Sequence, residues 1–374
     1  MTRFIAIVLT IGIILRIILS LATYHSDVIP FDFAGKVILE GNITNFYDYL
    51  WDLPEDHPYL KVYPRNLFNY PPLPYFFLGG ASLLTTWMVD QNVHNNFILD
   101  FSKTLGSPQL NLLLFLMKLP YFFFDIALAF VLMGLFKTEK EKKWAFALSA
   151  VLLGLGAGFK IFPLLFIIPL VLVKTDWWER FKILFTSGIT YLVFSFPFIL
   201  SEGFRRTAML AGQTTKSFYA QIPISGGESV ILFLVATIFI YLIFLYHKTY
   251  IESLWQNLFI IILTFFIFTH FHPQWFLWTM PFFVLDLVYT KFKHWPLFVG
   301  LLMTYVGMIS FFDSGLSVGL FSAVNPALYN LPGFWKMMGT SLDINMARSL
   351  LHSVFVGISA YYIYYYFPRK ENEP

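Results

Sequence analysis

The chain has 374 residues, of which 57% are hydrophobic and only 13% are charged. With a mean hydropathy of +0.66, this composition excludes an ordinary soluble domain and is typical of a protein with several membrane spans. The absence of cysteine excludes disulfides, thiol nucleophiles and thiolate metal sites. The net charge of +3 is less informative than the distribution of Lys and Arg along the chain.

The first apolar run, residues 4–23, is long enough to cross a bilayer of about 30 Å. A cleaved signal peptide is the alternative, because Ser20-Leu21-Ala22 resembles a small-residue cleavage site. We favour a membrane anchor, since the run is longer than an ordinary signal and contains Arg16.

Residues 72–89 decide the topology, because they can either span the membrane or lie flat at its outer surface. Placing them flat, as a juxtamembrane helix, predicts an all-α polytopic membrane protein with about ten transmembrane helices. The chain is then a single domain, 1–374, whose first extracytoplasmic loop, 24–108, contains the juxtamembrane helices. The predicted spans are 4–23, 109–136, 144–158, 160–173, 183–200, 226–246, 255–270, 274–290, 295–312 and 346–367.

Charge supports the flat placement of residues 72–89. Both termini are then cytoplasmic, and the short cytoplasmic segments carry about half of the 25 Lys and Arg residues, as the positive-inside rule requires. The unusual polar clusters of the sequence all fall on the outer side.

Two acidic residues follow the first span. Asp27 lies at the expected outer membrane boundary, and Asp32 comes five residues later. An ionised carboxylate in this place can act as a general base toward a hydroxyl. The alternative is that both are ordinary solvated loop acids.

The first loop also contains signals of local structure. Residues 33–39 predict a short amphipathic helix that ends near Gly41-Asn42. Tyr70 opens a Tyr-Pro-Pro-Leu run, and each Pro disfavours helix in the residue before it. This run is expected to be extended and to position the loop.

Two predicted outer turns carry basic or imidazole side chains. Lys160 either binds an anion there or snorkels to the membrane surface. In the second turn, His270, His272 and Gln274 surround Pro273, which suits the first turn of a helix. Helix N-termini favour anions, so we interpret this turn as a phosphate contact. A zinc site is disfavoured because no third ligand is nearby.

Other charged residues have simpler interpretations. Arg65 and Arg206 are further candidate anion contacts in outer loops. A pair between Arg16 and Asp125 within the membrane would be structural. Asp286 falls near the inner end of its span and is expected to have a packing role.

Taken in order, these features resemble the GT-C superfamily of glycosyltransferases that use polyprenyl-phosphate sugars. The resemblance is nearest to the small, mannosyltransferase-like members, and it covers most of the chain. The motifs that carry it are the loop with Asp27 and Asp32, the segment 41–47, Tyr70-Pro71-Pro72-Leu73, Lys160-Ile161-Phe162-Pro163 and His272-Pro273-Gln274-Trp275.

The resemblance implies an inverting transfer of a hexose, with mannose favoured, from a polyprenyl-phosphate donor to a hydroxyl of a lipid-linked or cell-envelope glycan. It implies that Asp27 is the catalytic base, and that Asp32 binds the acceptor or serves as an alternative base. Tyr70 would position the acceptor or its loop. The residues implied in donor-phosphate binding are Lys160, His272, Gln274, Arg65 and Arg206.

The resemblance requires no cofactor, although some relatives use a divalent metal. It implies an integral membrane protein, located in the plasma membrane if the source is prokaryotic, with an extracytoplasmic site and no nucleic-acid partner. A nucleotide-sugar donor is disfavoured, because no glycine-rich phosphate loop is present. Residues 54–61 and 313–345 do not match the family pattern, so the acceptor stays undefined.

Two other classes remain open. A flippase or transporter for lipid-linked sugars would place its ionisable groups along a path through the membrane midplane. A noncatalytic assembly subunit would not depend on Asp27.

Overall fold

A computed structural model describes residues 2–134, 139–209, 215–247, 250–269, 272–339 and 343–368, with side chains at 2–6 and 125–147 outside that description. Helices account for most of the described residues, and the strands among them form one antiparallel hairpin. Apart from this hairpin, the structure agrees with the predicted all-α class.

The helices and strands follow one another along the chain. The α-helices are α1 Thr2–Ala22, α2 Ile29–Leu39, α3 Tyr49–Asp52, α4 Pro58–Val62, α5 Pro72–Met88, α6 Gln91–Leu99, α7 Pro108–Gly134, α8 Glu139–Phe159, α9 Ile167–Leu172, α10 Trp177–Ser195, α11 Leu232–Tyr246, α12 Leu254–Phe268, α13 Met280–Tyr289, α14 Trp295–Ser310, α15 Phe334–Met337 and α16 Ile344–Tyr366. The strands are β1 Gln221–Ser225 and β2 Glu228–Ile231.

The chain divides into two compact units. The first comprises Met1–Leu148, Leu192–Leu210 and Phe312–Met338. The second comprises Ser149–Tyr191, Ala211–Phe311 and Gly339–Pro374. The expectation of a single domain over 1–374 stays a prediction.

Most predicted spans coincide with a described helix. The runs 109–136, 255–270 and 346–367 match α7, α12 and α16 within a few residues. The run 274–290 is divided, because a 3₁₀ helix, Pro273–Thr279, precedes α13. A second 3₁₀ helix likewise precedes α9.

Length and apolar character identify fewer membrane-spanning helices than the ten predicted. Within the described residues, Trp177–Phe198 satisfies both criteria, and Ile7–Ala22 with Ser26–Leu39 would satisfy them as one bent span. Shorter apolar helices are Pro108–Phe124, Leu148–Phe159, Phe162–Leu172, Leu232–Tyr246, Leu254–Phe268 and Trp295–Ser310. The structure is therefore consistent with a helical membrane protein, while the number of spans and the topology stay predictions.

The hairpin is a difference from the predicted span 226–246. Gly226 and Gly227 have φ of +58° and +92°, and two consecutive residues with positive φ are typical of a tight β-hairpin turn. Ile222 then pairs with Val230 across the ladder. The prediction was wrong for 226–231, because Val230 and Ile231 continue into the apolar run of α11, and the span was extended back from them over Glu228 and Ser229 to the glycines.

Near Asp27 the chain changes direction sharply. α1 ends at Ala22, and the helical segment Ser26–Leu39 lies at 88° to Ile7–Ala22. The helix α2 is longer than the predicted helix 33–39, because it starts at Ile29 with Pro30 in its first turn. It ends where expected, since Gly41 follows with φ of +87°.

Two glycines allow α2 and α5 to pack closely. A Cβ atom at Gly35 would lie 2.4 Å from the Ser82 Cβ atom and 2.7 Å from the Gly79 carbonyl oxygen. Because such distances exclude any side chain, the two helices touch through their backbones. Phe33 of α2 is also buried, in an aromatic cluster that includes Phe46 and Tyr75.

The second unit has its own aromatic core. α12 is buried along most of its length, from Phe259 to Phe266. It packs against α16, whose Tyr362 contacts Phe259 and Phe283. This core supports the segments that carry Lys160 and His272.

Candidate active site

Asp27 lies in a short 3₁₀ turn, Ser26–Val28, directly after α1. Its backbone N–H donates to His25 Nδ1 at 3.2 Å, and the same ring nitrogen lies 3.5 Å from Asp27 Oδ2. Half of the Asp27 side-chain surface, 50%, is exposed. An exposed carboxylate can come within hydrogen-bond reach of an acceptor hydroxyl, as a general base must.

Asp32, in the first turn of α2, is completely buried. Its Oδ1 atom accepts hydrogen bonds from Ser82 Oγ at 2.7 Å and Thr85 Oγ1 at 3.3 Å. Its Oδ2 atom lies 2.8 Å from His94 Nε2. The carboxylate therefore joins α2 to α5 and α6.

The histidine opposite Asp32 is buried as well, with 2% of its surface exposed. His94 Nε2 is at ion-pair distance from Asp32 Oδ2, but the two groups are not aligned as a hydrogen bond. A nearby phenol, Tyr63, has its pKa raised by burial and, to a smaller extent, by the charge of Asp32. Tyr63 therefore stays neutral and donates to the Ile98 carbonyl oxygen.

These contacts give Asp32 and Asp27 different surroundings. Asp32 has no exposed surface through which to meet an acceptor hydroxyl, whereas Asp27 does. The assignment of Asp27 as the base stays a prediction that is compatible with this exposure. A direct role for Asp32 stays a prediction.

Arg65 and Tyr70 are both fixed within the first loop. The Arg65 guanidinium donates to the carbonyl oxygens of Leu50 and Trp51, at 2.7 and 2.6 Å, and also binds Glu55 at 2.8 Å. It thus caps the C-terminal end of α3. The carbonyl oxygens and Glu55 give the positive charge of Arg65 its partners without a phosphate. The Tyr70 carbonyl accepts from the Tyr47 hydroxyl, and its N–H donates to the Tyr75 hydroxyl. A role of Tyr70 in positioning the acceptor or its loop stays a prediction.

Arg206 lies in a π-helical segment, Phe204–Met209, on the surface of the first unit. Its guanidinium binds Glu202 at 2.7 Å and lies 5.8 Å from the Trp51 ring centroid. The pair is more than half exposed, so it is easily exchanged for another anion. Donor binding by Arg206 stays a prediction.

In the second unit, Lys160 follows the last residue of α8. Its Nζ atom lies 5.4 Å from the Trp275 ring centroid and 5.0 Å from that of Trp278. The two indoles are stacked, with centroids 5.3 Å apart. An ammonium over two aromatic faces is held electrostatically while it keeps its charge.

His272 stands on the same aromatic stack. Its ring lies 5.5 Å from Trp275 at an interplanar angle of 29°. It immediately precedes the 3₁₀ helix that begins at Pro273, as the sequence predicted, and Gln274 is in the first turn of that helix. His270 lies outside the described residues.

A second buried Asp–His pair lies elsewhere in the second unit. Asp286 Oδ1 is 2.8 Å from His294 Nδ1, and Tyr366 donates to the same carboxylate oxygen. Both members are almost completely buried. This arrangement agrees with the packing role expected for Asp286. The Asp125 side chain, the suggested partner of Arg16, is outside the described residues.

The structure therefore gathers the expected site residues in two sets. Lys160, His272 and Gln274 belong to the second unit, where Lys160 and His272 share Trp275. The residues of the first unit are Asp27, Asp32, Arg65, Tyr70 and Arg206.

Sequence reasoning missed His94, Ser82 and Thr85, because these residues meet Asp32 only through tertiary packing. Within the described ranges, no group of three or more His, Asp or Glu side chains that could hold a metal is found.

Comparison with known proteins adds one finding. The model of glycosyltransferase family 87, a family of the GT-C type, matches residues 123–222, about a quarter of the chain. The matched segment includes Lys160 and Arg206. No curated protein and no solved structure matches the chain. The family match, on a chain of this apolar and helical character, supports a glycosyltransferase of the GT-C type.

Proposed function

We propose that the chain transfers a hexose, with mannose as the favoured sugar, from a polyprenyl-phosphate donor to a hydroxyl group. The acceptor is a lipid-linked or cell-envelope glycan at the outer face of the membrane. The reaction is a single displacement with inversion at the anomeric carbon.

The observation that carries this proposal is the convergence of Lys160 and His272 on Trp275. The two side chains come from segments that are more than a hundred residues apart, and the sequence had assigned both to a phosphate. The ring faces of the indoles attract a cation, and an imidazole beside it can donate a hydrogen bond. Together they suit the monoanionic phosphodiester of a polyprenyl-phosphate sugar.

The proposed reaction balances without a cofactor. The acceptor oxygen forms a bond to the anomeric carbon while the bond from that carbon to the phosphate oxygen breaks. The acceptor proton passes to the Asp27 carboxylate, and the bonding electrons stay on the departing polyprenyl phosphate. The phosphate gains negative charge in this step, so contacts from Lys160 and His272 strengthen as the reaction proceeds.

Asp27 suits the role of base because it is half exposed and close to the end of the first predicted span. After the transfer, its proton can leave to water. Asp32 supports the reaction indirectly, because it fixes the helix that follows Asp27.

The test uses purified full-length protein in detergent with mannosyl-phosphoryl-decaprenol labelled in the sugar. A glycolipid extract serves as the acceptor, and the donors GDP-mannose and glucosyl-phosphoryl-decaprenol are run in parallel. We expect label to reach the glycolipid from the mannosyl lipid and not from GDP-mannose. Transfer from GDP-mannose alone would contradict the donor class, and transfer from the glucosyl lipid alone would correct the sugar.

The side of the membrane is tested separately. The chain has no cysteine, so Ser26→Cys introduces a unique thiol beside Asp27. We expect a membrane-impermeant maleimide to label this thiol in intact cells. Labelling only after permeabilisation would overturn the outer location of the base.

A further inference from the structure

The C-terminal end of α1 is held by side chains from α7. The last carbonyl groups of a helix have no partner within that helix, and in an apolar environment each needs one from elsewhere. Lys118 Nζ donates to the Ser20 carbonyl oxygen and the Thr23 hydroxyl, both at 3.0 Å, and to the Thr23 carbonyl oxygen. Asn111 Nδ2 donates to the Leu21 carbonyl oxygen at 2.9 Å.

The two capping residues share one face of α7. Positions 111 and 118 are seven apart, which is nearly two helical turns. The Asn111 amide reaches the Leu21 carbonyl oxygen directly, whereas the longer Lys118 side chain extends along α7 to the carbonyl oxygens of Ser20 and Thr23. An ammonium within an apolar helix usually pairs with an acid, yet the polar contacts described for Lys118 are with oxygens of Ser20 in α1 and of Thr23 directly after it.

The residue after this cap is fixed as well. The Tyr24 N–H donates to the Leu320 carbonyl oxygen at 2.7 Å. The Tyr24 ring stacks on Phe101 with centroids 3.5 Å apart and planes at 7°. Asp27 is three residues beyond Tyr24, in the turn between α1 and α2. Its backbone therefore directly follows a segment that is fixed by contacts, although its side chain is exposed.

We infer that Lys118, assisted by Asn111, is a positioning residue for sugar transfer: it caps α1 and thereby holds the Asp27 carboxylate in place. This inference rests on the proposed function, in which Asp27 is the base. A base must stay within hydrogen-bond reach of the acceptor hydroxyl, and a misplacement of about 1 Å can cost about 10²-fold in rate.

The inference predicts a specific pattern in full-length variants. Lys118→Met keeps the length of the side chain but removes its three donors. We expect kcat to fall about 10²-fold while the KM for mannosyl-phosphoryl-decaprenol stays within about threefold, because the donor phosphate is bound elsewhere. Lys118→Arg, which restores donors and charge, should recover most of the loss. Lys103→Met, at an exposed lysine of the same unit, is the matched control and should retain wild-type kcat.

A second measurement does not depend on catalysis. A nitroxide on Ser26→Cys reports the motion of the turn that carries Asp27, and its spectrum should show increased mobility when Lys118→Met is added. A kcat within about threefold of wild type, or an unchanged nitroxide spectrum in folded Lys118→Met protein, would overturn the inference. If Lys118→Met does not fold, Asn111→Leu is measured in the same way and is expected to show the smaller change in the same direction.

If the wild-type protein transfers no sugar, the proposed function has failed. The nitroxide spectrum then still decides whether Lys118 anchors the turn that carries Asp27.

Discussion

The regions around Asp27 and Asp32 use similar side chains in opposite environments. Each acid faces a histidine, His25 at 3.5 Å in one case and His94 at 2.8 Å in the other. Asp27 is half exposed, whereas Asp32 is sealed between three helices. Exposure, and not residue type, therefore separates the candidate base from an acid that organises the fold.

The buried pair also explains why the first loop has a defined shape. Removing a carboxylate from water is costly unless its oxygens find partners. Ser82 and Thr85 supply hydroxyl donors to one oxygen of Asp32. One oxygen of Asp32 binds α5 and the other lies 2.8 Å from His94 of α6, so the burial of this carboxylate is coupled to the packing of the loop.

The largest expected effect is on catalysis at the exposed acid. Asp27→Asn keeps the size of the side chain but removes the base, so kcat should fall by about 10² to 10⁴-fold. The thermal unfolding temperature in detergent should not change, because the side chain is half in water. Full activity in a folded Asp27→Asn protein would end the assignment of Asp27 as the base and remove the contrast with Asp32.

At the buried acid we expect a loss of stability. Asp32→Asn leaves His94 without its charge partner and should lower the free energy of unfolding by about 3 kcal/mol. Asp100→Asn is the control, because this acid is exposed and pairs with Lys103 on the surface. Normal stability with lost transfer would mean that Asp32, and not Asp27, takes part in the chemistry.

Substitution of the ammonium in the second unit distinguishes proton transfer from donor binding. Lys160→Ala should weaken the binding of decaprenyl phosphate by about 10 to 100-fold, the range for a lost hydrogen bond to a charged group. His272→Ala should have a smaller effect in the same direction, and Asp27→Asn should have none. Lys182→Ala, at an exposed lysine of the same unit, controls for loss of charge. Unchanged phosphate affinity in both Lys160→Ala and His272→Ala would refute the phosphate site.

A backbone substitution probes the packing behind Asp32. Gly35→Ala places a methyl group against Ser82 and the Gly79 carbonyl, so α2 must move away from α5. We expect a loss of about 1–3 kcal/mol in the free energy of unfolding. Gly80→Ala adds the same methyl group on α5 where the surrounding space is open. Equal stability of the two variants would show that the close crossing is not required.

The smallest expected effect is that of metal removal. The proposed reaction uses charged side chains to stabilise the leaving phosphate, so EDTA should leave the transfer rate unchanged. A loss of activity that Mg²⁺ or Mn²⁺ restores would add a metal to the mechanism.

Most helices were predictable, because long apolar runs separated by charged or Pro-containing turns determine them locally. The hairpin was missed, since Gly226-Gly227 lies close to the apolar run of α11 and was included in the predicted span 226–246. The burial of Asp32 could not be predicted, because Ser82, Thr85 and His94 are at least 50 residues away in sequence. The capping role of Arg65 was missed for a related reason. Its acceptors are backbone carbonyl groups, which every residue has, so the sequence does not show which of them a side chain will bind.

The length of α1 has a consequence for which acceptors can react. Its 21 residues extend about 31 Å, close to the thickness of a hydrocarbon core. In the proposed topology the length of this helix places Asp27 at the level of the lipid head groups. The proposed function then predicts a preference for acceptors with a reactive hydroxyl at that height, and one extra helical turn, about 5.4 Å, would shift the preference toward glycans with a longer stem.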